Sequence, residues 1–403
     1  LNKPTPSFVQ PFLYAYNRIQ ANESLRPIQY EDRAKSLLVE RLGGEGPLPV
    51  AAFSHGAVGI VADHTHYVDG FALMLHMRMG TAIALRPNTL GRTRIAYEAV
   101  SDIIDLSREE DRRRAPILAA LLDRAAPSDA SGTGTTGLDV ALVTALPAGL
   151  GVAYFASLAL ALVACGDKLE NPGKQASEKL ATRAHGLLEA ALGTKISRAF
   201  TTAAALAEEA PFILVDARNG DHIAVEFPDT QRPGFALFDA SPQSMIDVTA
   251  MRRRAELASS ATRELAGKGF EGLTSLRNLE HRDLERALDV ASRSYRPAIR
   301  HLVSSNRNVQ KLVVAIRKAD WQLFGALLKI SLASSTNDWG TGTEVSGPAV
   351  ETAERMSIEG IYGMVGTGEC GMLLVAGRPF SLPAYLDAVR SGHDTDDIHA
   401  LII

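Results

Sequence analysis

Cysteine is nearly missing from this chain. Cys165 and Cys370 are the two it has among 403 residues. Two thiols cannot build the disulfide framework of a small secreted scaffold, and the expectation is free thiols in a reducing, cytoplasmic setting. An excess of charge of either sign is missing too: the formal net charge is -4 at pH 7. No basic surface therefore asks for a nucleic acid or an anionic membrane. A small neutral ligand or metabolite is the expected partner.

The first residues, LNKPTPSFVQPF, show no basic start ahead of an apolar core, so no signal peptide is expected. Long hydrophobic runs are scarce. The longest uncharged stretch, 140–166, has the length to span a membrane. Pro147, Gly149 and Gly151 break its first half, which leaves a buried helix of about four turns. No internal repeat and no regular βαβ alternation occur, and mixed α+β layers are the expected fold class. With 46% hydrophobic and 22% charged residues, the chain is long enough for two domains with their own cores.

Apolar spacing predicts helix over 6–42, strands over 47–53, 72–85 and 138–146, and helices from about 153 and over 174–192. Strands follow at 212–217, 223–227 and 235–239, with Asn219-Gly220-Asp221 as a turn between the first two. The stretch 245–330 is nearly all helical. The end reads strand (361–365), glycine turn, strand (372–376), helix (382–391) and a last strand (399–403). The charge run 108–114 reads as a solvated helix face, and 125–137 as a polar, Gly-rich loop.

Residues 56–73 read GAVGIVADHTHYVDGFAL. This resembles the first signature of the galactokinases, a branch of the GHMP kinase superfamily, which reads close to GRVNLIGEHTDYNDGFVL. Gly56, Val58, His64, Thr65, Tyr67, Asp69, Gly70, Phe71 and Leu73 match. Ala57, Gly59, Asp63 and His66 stand where the family has Arg, Asn, Glu and a sugar-binding Asp. ILVDARNG (213–220), MRRRAEL (251–257), RPAIRHLVSSNRNV (296–309) and FGALLKISLASS (324–335) are similar to further motifs of the branch. The resemblance covers about the whole chain. It implies a two-lobed galactokinase-like fold with the ligand cleft between the lobes. The first lobe would hold 1–215, with a C-terminal strand (395–403) returning to it, and the second lobe 216–394. Tyr67, Asp69 and Gly70 are the ligand-binding positions that it suggests.

A kinase of this family holds nucleotide phosphates on a Gly/Ser loop that opens a helix, where backbone N–H groups and the positive helix end favour anions. The family loop reads near PxGGGLSSSASL; here it is PAGLGVAYFASL. Gly149, Gly151 and Ser157 remain, while Ala153, Tyr154 and Phe155 replace three serines. Neither an alkyl group nor an aromatic ring replaces serine oxygens around Mg²⁺. The family's catalytic Asp falls at Ser197 or Arg198, according to the alignment chosen, and neither is a carboxylate. A positioned base is worth roughly 10²–10⁴-fold. The C-terminal glycine loop keeps Gly366 and Gly368, with Glu369 in place of an aromatic residue.

Asp63, His64 and His66 form a compact polar cluster, and on an extended stretch the two imidazoles point the same way. Metal ligation, acid–base or hydrogen-bonding contact with a ligand, and purely structural roles all suit such a cluster; no metal site is assigned. Three functions follow. One is a pseudokinase that binds a sugar-like ligand without ordinary ATP phosphotransfer. Another is a non-kinase enzyme that uses Asp63, His64, His66 and Ser197 or Arg198. The third is a sugar kinase with relocated residues, and only this one requires ATP and Mg²⁺.

Overall fold

Alanine carpets the sheet face on which the first described helix lies. The computed structural model describes residues 25–62, 64–125, 137–170, 179–207, 210–228, 232–239, 246–341, 346–367, 371–391 and 400–403. Two compact units interleave along the chain. Leu1–Ala57, Met77–Ala148 and Ala153–Gly193 form the first, and Val58–His76, Gly149–Val152 and Thr194–Ile403 the second.

In the first unit, α1 (Pro27–Leu42) buries Tyr30, Ala34, Leu38 and Leu42, one residue per turn. They pack against Ala51, Ala82, Ala84, Ala96 and Ala141, small side chains that let the helix come close to the sheet. Its strands are β1 (Val50–Val61), β2 (Phe71–Asn88), β3 (Arg94–Tyr97), β4 (Ile104–Asp105) and β5 (Gly137–Thr144). The later half of β2 runs antiparallel to β5, from Thr81 opposite Thr144 to Asn88 opposite Gly137. On the other side of β5, β3 is parallel to it, and β4 is antiparallel to β3. The helices α2 (Glu109–Arg114), α3 (Pro116–Ala125), α4 (Val152–Glu170) and α5 (Leu180–Leu192) complete the unit. The helix α4 is apolar and long enough to cross a membrane by length and composition, and 67% of that window is buried within the protein. The charge run is less solvated than expected. Asp111 turns inward to accept from the Asp105 N–H at 3.0 Å, and Arg112 pairs with Asp123 at 2.6 Å.

The second unit contains α6 (Ala199–Ala205), β6 (Phe212–Asp216), β7 (His222–Val225), β8 (Gly234–Asp239), α7 (Val248–Ala266), α8 (Leu284–Val290), α9 (Arg296–Arg317), α10 (Trp321–Asn337) and α11 (Ser346–Arg355). It ends with β9 (Ile361–Thr367), β10 (Met372–Gly377), α12 (Leu382–Ser391) and β11 (Ala400–Ile402). The start of β2 (71–75) pairs antiparallel with β6, and β6 with β7. A four-stranded antiparallel sheet has the order β11-β8-β10-β9. Against it lies α10, brought in by two glycines. A Cβ on Gly325 would meet the Tyr362 carbonyl at 2.1 Å, and one on Gly363 the Gly325 carbonyl at 2.5 Å. Backbone thus meets backbone where any side chain would force helix and strand apart.

Three expectations change. The strand predicted to end at residue 53 continues through the signature to Val61, because Val58, Ile60 and Val61 are β-branched and buried. The C-terminal strand does not return to an N-terminal lobe: Ala400–Ile402 pair with Phe238–Ala236 of β8, inside the second unit. The boundary expected at 215/216 gives way to the interleaved division, in which the signature segment belongs with the C-terminal half. The expected loop at 125–137, apart from its two end residues, and the helical reading of 6–24 lie outside the described residues.

One buried ion cluster holds the first unit. The Asp139 carboxylate accepts two bonds from Arg86 (3.1 and 2.9 Å) and two from Arg94 (both 2.9 Å). The same guanidinium groups reach back to the last carbonyls of α1, Arg86 to Gly43 at 2.7 Å and Arg94 to Leu42 at 3.2 Å. They satisfy helix-end acceptors that lack intrahelical partners. With the Asp139 side chain 2% exposed and that of Arg86 3%, Asp139→Asn leaves buried positive charge uncompensated. We expect that variant to lose about 3–5 kcal/mol in urea unfolding; a loss under 1 kcal/mol would mean that the cluster is not what holds α1.

Candidate functional site

The signature segment does not stay extended. Residues Thr65–Val68 form a 3₁₀ turn, and Asp69 follows in the left-handed region at φ 53°. An aspartate tolerates that conformation better than most residues. Distant residues hold it there. Arg277 grips Asp216 through two parallel bonds of 2.6 and 2.7 Å, donates to the Asp69 carbonyl, and lies 4.2 Å over the Phe71 ring. Asn306 accepts from the Phe71 N–H at 2.8 Å, and Ser275 donates to the Val68 carbonyl at 2.6 Å. Burial alone would raise the Asp216 carboxyl, but the hydrogen bonds from Arg277 and from the Arg218 N–H outweigh it and hold the group below the usual carboxylate range.

This turn forms part of the wall of a pocket in the second unit. Ile60, Val61 and Ala62 give it an apolar floor, His64 and Thr65 line it next, and Val365, Gly366, Gly371, Met372 and Leu373 come from β9 and β10. The helices α9 and α10 supply His301, Ser305, Ser331, Leu332 and Ser335, and Thr341 follows α10. Among the described residues that line it, the polar groups are hydroxyls and imidazoles, and none of these side chains is a carboxylate, an ammonium or a guanidinium group. The Ser335 hydroxyl donates to the Leu332 carbonyl at 2.9 Å and that of Thr341 to the Ser335 carbonyl at 3.1 Å, so each turns lone pairs outward.

The turn sends its two histidines to different places. On a strand they would share a side; on this 3₁₀ turn His64 lines the pocket, while His66 is buried with its ring 4.0 Å from that of Tyr67. Tyr67 packs among His66, Trp339 and the apolar cluster of α7 and α9. Asp69 pairs with Lys195 at 2.7 Å, and Gly70 fits beneath Asn306, where a Cβ would come 2.9 Å from the amide oxygen. Tyr67, Asp69 and Gly70, expected to bind ligand, thus brace the turn and line none of the pocket. Asp63 and Gly368 lie outside the described residues, and among the described residues no group of three His, Cys, Asp or Glu could hold a metal ion.

Ser197 and Arg198 are not brought to the pocket either. Buried Ser197 accepts from the Ala199 N–H at 3.4 Å at the start of α6, and Arg198 donates to the Asn219 carbonyl at 3.3 Å. In the second unit Gly151 takes φ +59°, and Gly149 lies against Met372, whose sulfur would be 2.7 Å from an added Cβ. In the first unit Tyr154 is fully buried against Tyr97, and burial pushes its phenol well up. Phe155 meets the Tyr154 ring edge-on at 5.0 Å. Ser157 is fully buried and donates to the Ser54 carbonyl of β1 at 3.0 Å.

Sequence reasoning missed His301, Ser305, Ser331 and Ser335. The signal was there: each pair is spaced i, i+4 on a helix whose other inward positions are mostly apolar. His301 stacks on Trp339 with ring centres 5.1 Å apart, and its Nδ1 lies 3.0 Å from Ser334 Oγ. Burial, reinforced by Arg254 and only partly opposed by Asp338, pulls its pKa down to about 4. Burial lowers His64 as well, helped by His301, Arg254 and His66. Both are neutral at pH 7. The unfolded chain binds a proton at His301 below its ordinary 6.5, and the folded chain binds none until about 4. Stability from this group is therefore complete above pH 6.5 and falls as the pH drops through that window, by about 3 kcal/mol. We expect His301→Phe to flatten the urea-midpoint profile between pH 6.5 and 4; a slope unchanged from the parent would refute a neutral buried ring.

No family model matches the chain. It is 25% identical over 334 residues to a galactokinase of Roseiflexus sp., across 79% of this chain and 82% of that protein. Its fold is similar to that of Lactococcus lactis galactokinase complexed with galactose, with a TM-score of 0.71 at 17% identity, covering 92% of this chain and 96% of the other. Methanococcus jannaschii mevalonate kinase shares the fold with a TM-score of 0.55 at 10% identity, covering 89% and 98%. The signature, the α+β architecture and these likenesses agree: the chain is galactokinase-like in sequence and in fold.

Proposed function

We propose that the protein binds a neutral, sugar-like ligand and does not carry out ordinary ATP-dependent phosphotransfer. One observation carries the second half: the last serine of the nucleotide-type loop, Ser157, gives its hydrogen to the Ser54 carbonyl from a fully buried position. Around it, Ala153 offers no oxygen, Tyr154 is shut into the core, and Phe155 is a hydrocarbon ring. Mg²⁺ requires oxygen ligands in near-octahedral array, and the side chains of this loop do not fit that demand. The loss of a carboxylate at Ser197 or Arg198 points the same way, since no positioned base remains there for a sugar hydroxyl.

The ligand half rests on the hydroxyl-rich pocket, whose described lining residues carry no charge, and on the likeness to a galactokinase that was solved with galactose. Hydroxyls and neutral imidazoles both donate and accept, which suits a polyol and gives an ionic ligand no counter-charge. A working sugar kinase is the second reading, favoured by similarity to a galactokinase over about four-fifths of each chain. A non-kinase enzyme built on the histidine cluster has less support, because His66, Ser197 and Arg198 do not line the pocket with His64.

Thermal melting and ADP release separate the readings. We expect galactose, arabinose, fucose or an amino sugar to raise the melting temperature, since ligand at a hundred times Kd stabilises by about 2.7 kcal/mol. MgATP should leave it unchanged, and no sugar should elicit ADP. Steady ADP release with any of these sugars at the common enzymatic rate of roughly 1–10³ per second would establish the kinase instead.

A further inference from the structure

One buried polar atom of a pocket-lining residue has no partner among the described residues: Nε2 of His301, whose residue is 3% exposed. The other side of the ring is well provided. Ser334 Oγ lies 3.0 Å from Nδ1, and the same hydroxyl donates to Asp338 Oδ2 at 3.4 Å. A hydroxyl whose hydrogen goes to a carboxylate has only lone pairs left for the ring, so the relay places the imidazole hydrogen on Nδ1. Arg300 holds the far carboxylate oxygen of Asp338 at 2.7 Å and fixes the end of the relay. The stack on Trp339 fixes the plane of the ring. Nε2 is thereby left as a bare acceptor. A buried acceptor without a donor costs about 1–3 kcal/mol, and native structures rarely leave one unanswered.

Beside His301, Ser305 and Ser331 bring buried hydroxyls to the same wall. We propose that His301 Nε2 accepts the hydrogen of a hydroxyl on a neutral polyol in this pocket, with Ser334 and Asp338 as positioning residues that keep the ring in the accepting tautomer. This rests on the reading of the protein as a binder of sugar-like ligands, and it deepens that reading by naming the contact. The site is made chiefly by α9, α10, β9 and β10, not by the loops in which the sequence placed the chemistry. The groups that face His301 and bear on its protonation are His64 from the signature turn, Arg254 from α7 and Asp338 beyond α10. Since the ring stays neutral until about pH 4, binding should be level from pH 8 to 5 and fail as the ring gains a proton.

Calorimetry on the full chain with galactose, arabinose, fucose and myo-inositol tests this. His301→Phe should weaken binding of whichever polyol the parent takes by roughly ten- to a hundred-fold. His301→Gln can present its amide oxygen near the Nε2 position and should stay within a few-fold of the parent. Ser334→Ala frees the ring to carry its hydrogen on Nε2, and should both weaken binding and move the acid limb of its pH profile, which a purely structural role would not do. A folded His301→Phe that binds as well as the parent overturns this inference and leaves the sugar-binding reading standing. A parent that binds none of the four polyols overturns both. Should His301→Phe not fold, the imidazole ¹⁵N spectrum of the unsubstituted protein decides: an Nε2 resonance unmoved at saturating ligand overturns the contact, and a shift toward the hydrogen-bonded position supports it.

Discussion

The fork between Arg277 and Asp216 is the contact on which the second unit's site depends. One guanidinium group makes two bonds to a carboxylate, a third to the Asp69 carbonyl, and a cation–π contact with Phe71. Such planar, bidentate recognition belongs to arginine and would not survive replacement by lysine. It holds Asp69 in a backbone conformation that few side chains accept and ends the 3₁₀ turn at a fixed place. His64 reaches the pocket because of that turn, and His66 is turned away from it by the same geometry. The carboxylate, though burial opposes its ionisation, is kept charged by the bonds it receives.

The two units carry two halves of the functional argument. In the first, the start of α4 turns toward the core: the Tyr154 and Phe155 rings meet edge-on, and the Ser157 hydroxyl braces a neighbouring strand. In the second, the inner faces of α9 and α10 carry small hydroxyls and neutral rings in a pocket whose described lining residues bear no charge. Hydroxyls and neutral rings let a polyol, the proposed ligand, exchange water hydrogen bonds for equivalent ones.

Most of the fold was legible because its cues are local. The signature, the hairpin at Asn219-Gly220, the α4 helix after its glycine turn and the β9–β10 pair all stand close to their expected places. The site was less so, because its cues are not local. That Thr65–Val68 would coil rather than extend depends on Asn306 and Arg277, 235 and 208 positions from their partners Phe71 and Asp69. The polar residues of α9 and α10 were visible as interruptions of apolar faces, but which helix faces which is set by the glycine contact between α10 and β9, which no spacing announces. The strand ending at Ile402 joined another sheet for a similar reason: three residues hold too little pattern to choose a neighbour.

That glycine contact carries a consequence for how the protein can diversify. Gly325 and Gly363 lock the helix to the strand through main-chain atoms, so neither position tolerates drift. Ser331 and Ser335 stand on the same helix within three turns of the lock, and nothing in that contact depends on their side chains. Exchanging them would repaint the inner surface while the frame behind it stayed still. Descendants of such a sequence can acquire new ligand tastes by single substitutions on α10 without renegotiating the architecture.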